Sequence, residues 1–167
     1  MRSLIIYYTH SGNTAYAARR FFDALRKQGD TDLFELKYIG GEKSLLVRFF
    51  YRFMPSMVQL ATVPFDLKEY NVLCLGIPVL GGYPSGAISK YISMCENIDK
   101  KKIICFYIYG FEASAENCSR YIEKLLRKRG NPEIINAYIP WHSVLKEDFL
   151  DKVIAFTMSK VTSSQQK

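Results

Sequence analysis

Apolar residues fall along this chain in short blocks that alternate between two periods. Ser3 to Tyr8 is a compact run of apolar, β-branched and aromatic residues, the pattern of a strand buried on both faces. Asn13 to Gln28 follows with helical spacing, ends in basic residues and stops at Gly29. Asp32 to Leu36 alternates apolar with polar, as an edge strand does. Val72 to Ile77 and Ile103 to Tyr109 are two more buried runs. Each precedes a helical stretch, Ser85 to Cys95 and Ser114 to Arg129. Ile134 to Ile139 is the last strand and Asp148 to Val161 the last helix. The tail Thr162 to Lys167 is polar and expected to fray.

Strand–helix alternation repeated in one chain predicts an α/β fold: a doubly wound, five-stranded parallel sheet in three layers. Such sheets bind ligands beyond the carboxyl ends of their strands, where the winding reverses. The loops after Tyr8, Ile77 and Tyr109 are therefore the ones to read for chemistry.

One segment interrupts the alternation. Residues 40 to 66 form an insertion within a single domain spanning 1 to 161. Leu45, Leu46, Phe49, Phe50 and Phe53 share one helical face, with Arg48 and Arg52 on another. Two readings stay open. The apolar face covers the sheet edge, or it serves, with Lys43, Arg48 and Arg52, as a lid or docking surface for a partner, a quinone or a membrane.

Composition narrows the function classes. A chain of 167 residues with 49% hydrophobic and 23% charged residues is globular rather than disordered. No apolar run reaches the length of a membrane span, and the first residues lack a signal-peptide core. The four cysteines, Cys74, Cys95, Cys105 and Cys118, form no Cys-x-x-Cys and read as reduced thiols in a cytoplasmic protein. Two histidines leave few ligands for a metal site. The net charge of +7 suits an acidic partner, whereas no nucleic-acid recognition module is present.

The sharpest chemical signal is Tyr8-Thr9-His10-Ser11-Gly12-Asn13-Thr14, set between a strand and a helix. Thr9, Ser11 and Thr14 bring hydroxyls, Gly12 permits a tight turn, and the free N–H groups of the helix start point into the same loop. Hydroxyls and oriented amides make an anion site suited to a phosphate. A simple helix cap needs only one such residue. The chain has neither a Gly-Lys-Ser/Thr nor a Gly-x-Gly-x-x-Gly, so the loop fits a phosphate monoester rather than a nucleoside triphosphate or a dinucleotide.

The run Ile5-Ile6-Tyr7-x-Thr9-x-x-Gly12-x-Thr14-x-x-x-Ala18 resembles the flavodoxin signature at each defined position. That resemblance implies strand order 2-1-3-4-5 and FMN as cofactor. It implies phosphate contacts from Thr9, Ser11, Gly12, Asn13 and Thr14, with His10 a variable, solvated position. Pro78, Val79, Leu80, Gly81, Gly82 and Tyr83 resemble the family's first ring-binding loop, where a peptide can turn toward flavin N5. Leu80 stands where relatives carry Trp, so Tyr83 would have to supply aromatic stacking or else pack on a helix. Tyr109, Gly110 and Phe111 match the second ring loop in position, with Phe111 alternatively closing the core. Trp141 and His142 read as structural.

No acid–base pair accompanies these loops. The resemblance therefore implies electron transfer between cytoplasmic redox partners. An NAD(P)H-dependent quinone or flavin reductase and a flavin-free interaction protein remain as alternatives. The family's carriers are acidic, and a surplus of cations near the ring would favour its reduced anion and raise its potential.

Overall fold

The computed structural model describes residues 1–39, 47, 51 and 54–163. Five strands, β1 (Ser3–Tyr7), β2 (Thr31–Glu35), β3 (Val72–Pro78), β4 (Lys102–Tyr109) and β5 (Glu133–Pro140), form one sheet in the order β2-β1-β3-β4-β5. Each neighbouring pair is parallel. Among the described residues, helices α1 (Asn13–Arg26), α2 (Gly86–Met94) and α3 (Glu112–Arg127) link β1 to β2, β3 to β4 and β4 to β5, and α4 (Glu147–Ser163) follows β5. The expected fold class and strand order are both present.

The strand sequences explain the layers. Leu4, Ile5 and Ile6 are fully buried because β1 lies inside the sheet with helices on both faces. Even and odd positions then feed two cores. Leu4, Ile6, Leu75, Cys105 and Tyr107 pack toward α2 and α3. Ile5, Cys74, Ile104 and Phe106 pack toward α1 and α4, where Phe106 stacks on Phe21 at 4.8 Å. At β2, an edge strand, every residue is only partly buried.

Element ends differ from the sequence reading by at most two residues. The polar tail begins later than its composition suggests: α4 runs on through Thr162 and Ser163. Both hydroxyls turn back onto the helix, Thr162 Oγ1 donating to the Ser159 carbonyl at 3.0 Å.

Backbone hydrogen bonds join the segment after β2 to residues 59–61. The Ile39 amide donates to the Gln59 carbonyl, and the Ala61 amide to the Lys37 carbonyl, both at 2.9 Å. Val58, Val63 and Leu67 of the return join the core on the α2 side. Tyr51 packs against Tyr38 at 5.6 Å, and its carbonyl oxygen lies 2.5 Å from where a Cβ on Gly86 would stand. Only glycine at the start of α2 admits that approach. The apolar face of Leu45, Leu46, Phe49, Phe50 and Phe53, with Lys43, Arg48 and Arg52, lies outside the described residues.

Among the described residues no helix is long and apolar enough to cross a membrane.

Candidate functional site

Sheet register brings three loops together. Tyr7 pairs with Gly76, and Pro78 with Ile108. The chain segments leaving β1, β3 and β4 are therefore neighbours on one edge of the sheet. The Tyr8 amide donates to the Gly76 carbonyl at 3.2 Å, and the Val79 amide to the Ile108 carbonyl at 2.9 Å.

The loop after β1 turns at Gly12, whose φ of 87° and ψ of −17° lie in the left-handed region. The Thr9 hydroxyl accepts the Gly12 N–H at 3.1 Å and fixes the turn. Gly12 occupies the N-cap of α1, and no side chain caps the helix. Tyr16 N–H is the first amide to find an intrahelical acceptor, at Gly12 O, so the amides of Asn13, Thr14 and Ala15 open onto the loop. His10 and Ser11 are exposed, Thr9 and Asn13 half-buried, and Thr14 buried. A Cβ on Gly12 would meet nothing within 4 Å. There is thus open space directly before three uncapped donors and the positive end of the helix dipole, an arrangement that takes an oxyanion.

The loop after β3 is a two-residue turn. Leu80 and Tyr83 exchange backbone hydrogen bonds at 2.9 and 3.3 Å, around Gly81 at φ 57° and Gly82 at φ 83°. Two consecutive positive φ angles define a type I′ turn, which the Gly-Gly pair adopts without strain. Gly82 faces α3, where a Cβ would lie 3.6 Å from Asn117 Cβ. The Tyr83 ring packs edge-on against Tyr121 of α3 at 5.6 Å, so its helix contact is with α3 rather than the α2 that follows it. Leu80 is 43% exposed at the tip. Ser85 closes the loop by accepting the Ile88 amide at 3.3 Å, which caps α2.

The loop after β4 is Tyr109-Gly110-Phe111. Tyr109 is buried, while Phe111 is 81% exposed and therefore does not close the core. Phe111 is the N-cap of α3, and its carbonyl accepts from the amides of Ser114 and Ala115 and from the Ser114 hydroxyl. A Cβ on Gly110 would sit 3.7 Å from Cδ1 of Trp141, the first residue of a short 3-10 turn after β5. Trp141 is 58% exposed at this same edge. The strand beside it is β4, which β5 pairs with, and its neighbour there is Gly110, directly after that strand.

The thiols take no part. All four are free and buried. Burial pushes Cys105 up to about 12 and Cys95 up to about 12, and raises Cys74 and Cys118 as well, so none is a nucleophile near neutral pH. Among the described residues no three His, Cys, Asp or Glu side chains gather into a metal-binding group.

With this geometry in place, solved structures identify the architecture. Oxidised flavodoxin 2 from Bacillus cereus superposes with a TM-score of 0.66 at 20% identity, over 98% of this chain and 99% of that one. The chain has a flavodoxin-like fold. The Streptococcus pneumonia TIGR4 flavodoxin matches it with a TM-score of 0.62 at 11% identity, over 98% of this chain and 99% of that one. An azoreductase from Bacillus anthracis matches at 0.54 and 11% identity, over 98% of both chains. No protein-family model matches this flavodoxin-like chain, and no curated protein does.

Proposed function

We propose that this flavodoxin-like chain binds FMN along the edge formed by its three loops and passes electrons between partner proteins. The observation that carries the reading is the uncapped start of α1, with Gly12 in the left-handed region and free volume in front of it. The amides of Asn13, Thr14 and Ala15, with the hydroxyls of Thr9, Ser11 and Thr14, suit the phosphate of FMN. Neutral donors suffice there, and no lysine or arginine belongs to the loop. Bound FMN would supply one- and two-electron chemistry.

The remaining residues fit the ring. The Gly81–Gly82 peptide can turn over without a Cβ penalty and so offer either its N–H or its C=O. Leu80 and Phe111 provide apolar contact. Tyr83 is held by Tyr121, and Trp141 stands behind Gly110. Four buried thiols suit the reducing cytoplasm. The surplus of seven positive charges suits an acidic redox partner.

Titration of the purified apo-chain with FMN, followed by calorimetry and visible absorption, tests this. One equivalent of FMN is the expected uptake; a chain that takes up none overturns the reading. The azoreductase neighbour favours a second reading, an NAD(P)H-dependent quinone or flavin reductase. Rapid oxidation of NAD(P)H by the FMN-loaded chain with menadione would select it over the carrier.

A further inference from the structure

We propose that a cavity between the end of β4, the first turns of α3 and the edge strand β5 binds a small organic cation: a protonated amine or amidinium on a short apolar body. The cavity measures about 260 Å³ and is lined by Tyr109, Glu112, Ala115, Glu116 and Tyr138. That volume accommodates one ring with its headgroup.

Glu112 and Glu116 stand four apart on α3 and so share one face. Neither carboxylate has an ion-pair or hydrogen-bond partner among the described residues, although the chain carries 23 lysines and arginines. Helix physics accounts for one of the two. Glu112 lies in the first turn and gains from the helix dipole, a benefit that fades by the second turn. Like charges at this spacing repel, and a cation between them removes the repulsion.

The other walls are aromatic. Tyr109 is 8% exposed, and its hydroxyl makes no hydrogen bond among the described residues. Burial, and then the charge of Glu112, push its pKa up, so it stays a neutral donor and acceptor facing the cavity. Tyr138 has two contacts of its own: it stacks on Tyr107 at 5.3 Å, and its hydroxyl donates to Ser119 Oγ at 3.0 Å. Carboxylates beside tyrosine rings recognise organic cations by charge and by cation–π attraction. An anion is repelled, and a neutral ring leaves both carboxylates uncompensated. Ala115 keeps the floor apolar. The site is separate from the phosphate loop and shares only Tyr109 with the loop after β4.

Benzamidinium tests this against its neutral isostere benzamide, by amide chemical shifts of the full-length chain. Benzamidinium is expected to move the resonances of Tyr109, Glu112, Ala115, Glu116 and Tyr138, with a millimolar dissociation constant. Benzamide should bind at least about tenfold more weakly, the equivalent of one charge-assisted contact. The double change Glu112→Gln and Glu116→Gln should weaken benzamidinium by a similar factor, and its spectrum reports directly that the chain is folded. Equal binding of the two probes, shifts confined to another surface, or unchanged binding by the double variant would each overturn the proposal.

Discussion

Two regions on one edge of this sheet present groups of opposite polarity. The loop after β1 presents main-chain amides and neutral hydroxyls, with no Lys, Arg, Asp or Glu between Thr9 and Thr14. The cavity beside β4 and β5 presents two carboxylates and two tyrosine rings. The first obtains its positive potential from a helix start, where aligned peptide dipoles need no charged side chain. The second obtains its negative potential from side chains on the next helix but one. A net charge of +7 therefore says little about either place. Potential at a site is set by the nearest few groups, because water and salt screen the rest within about 10 Å.

Four measurements would break or sharpen that contrast. The largest effect should come from removing the phosphate. Three charge-assisted hydrogen bonds at about 1.5 kcal/mol each make riboflavin bind roughly a thousandfold more weakly than FMN. Equal affinities in paired calorimetric titrations would mean that the helix start holds no anion. Next comes Gly12→Val. A Cβ there meets nothing, so the whole cost is backbone strain at φ 87°, about 1–2 kcal/mol in urea denaturation, together with weaker FMN binding. Gly12→Asn, which tolerates this conformation, should recover most of the stability.

Tyr83→Leu probes the strut between the regions. It removes the edge-on contact with Tyr121, worth about 0.5–1.5 kcal/mol, and frees the Gly81–Gly82 turn from α3. The same denaturation series reads it out. The smallest effect belongs to Asp66, which lies in neither region and serves as a control. The Asn97 side chain, and then the Lys68 amide, hold its carboxyl below the usual range. A carboxyl with a depressed folded pKa contributes stability above its unfolded pKa. That contribution is lost as pH falls through the folded value. Melting temperature should thus fall slightly below about pH 4, and Asp66→Asn should flatten the slope.

The turn after β1 and its open helix start were legible in sequence because their parts are contiguous. Thr9, Gly12 and Thr14 lie within six positions between a strand and a helix, so local turn chemistry alone brings them together. The type I′ turn was legible for the same reason, through Gly81-Gly82. The aromatic and acidic rim was not. Tyr109 and Tyr138 line one cavity, and Trp141 reaches Gly110, only because β5 lies beside β4. Tyr83 illustrates the limit: its local context offered the ring site or the following helix, and tertiary packing gave it Tyr121 on α3.

Periodicity alone determined the order of strands and helices and the layered parallel sheet. Buried parallel strands must be apolar throughout and their crossover helices amphipathic, and both patterns are local. Tertiary structure decided which side chains from different strands share an edge, that Gly86 is needed beneath Tyr51, and that Glu112 and Glu116 open onto a tyrosine-lined cavity. Those contacts join residues tens of positions apart. Their distances follow from register and helix placement, which no local stretch of sequence encodes.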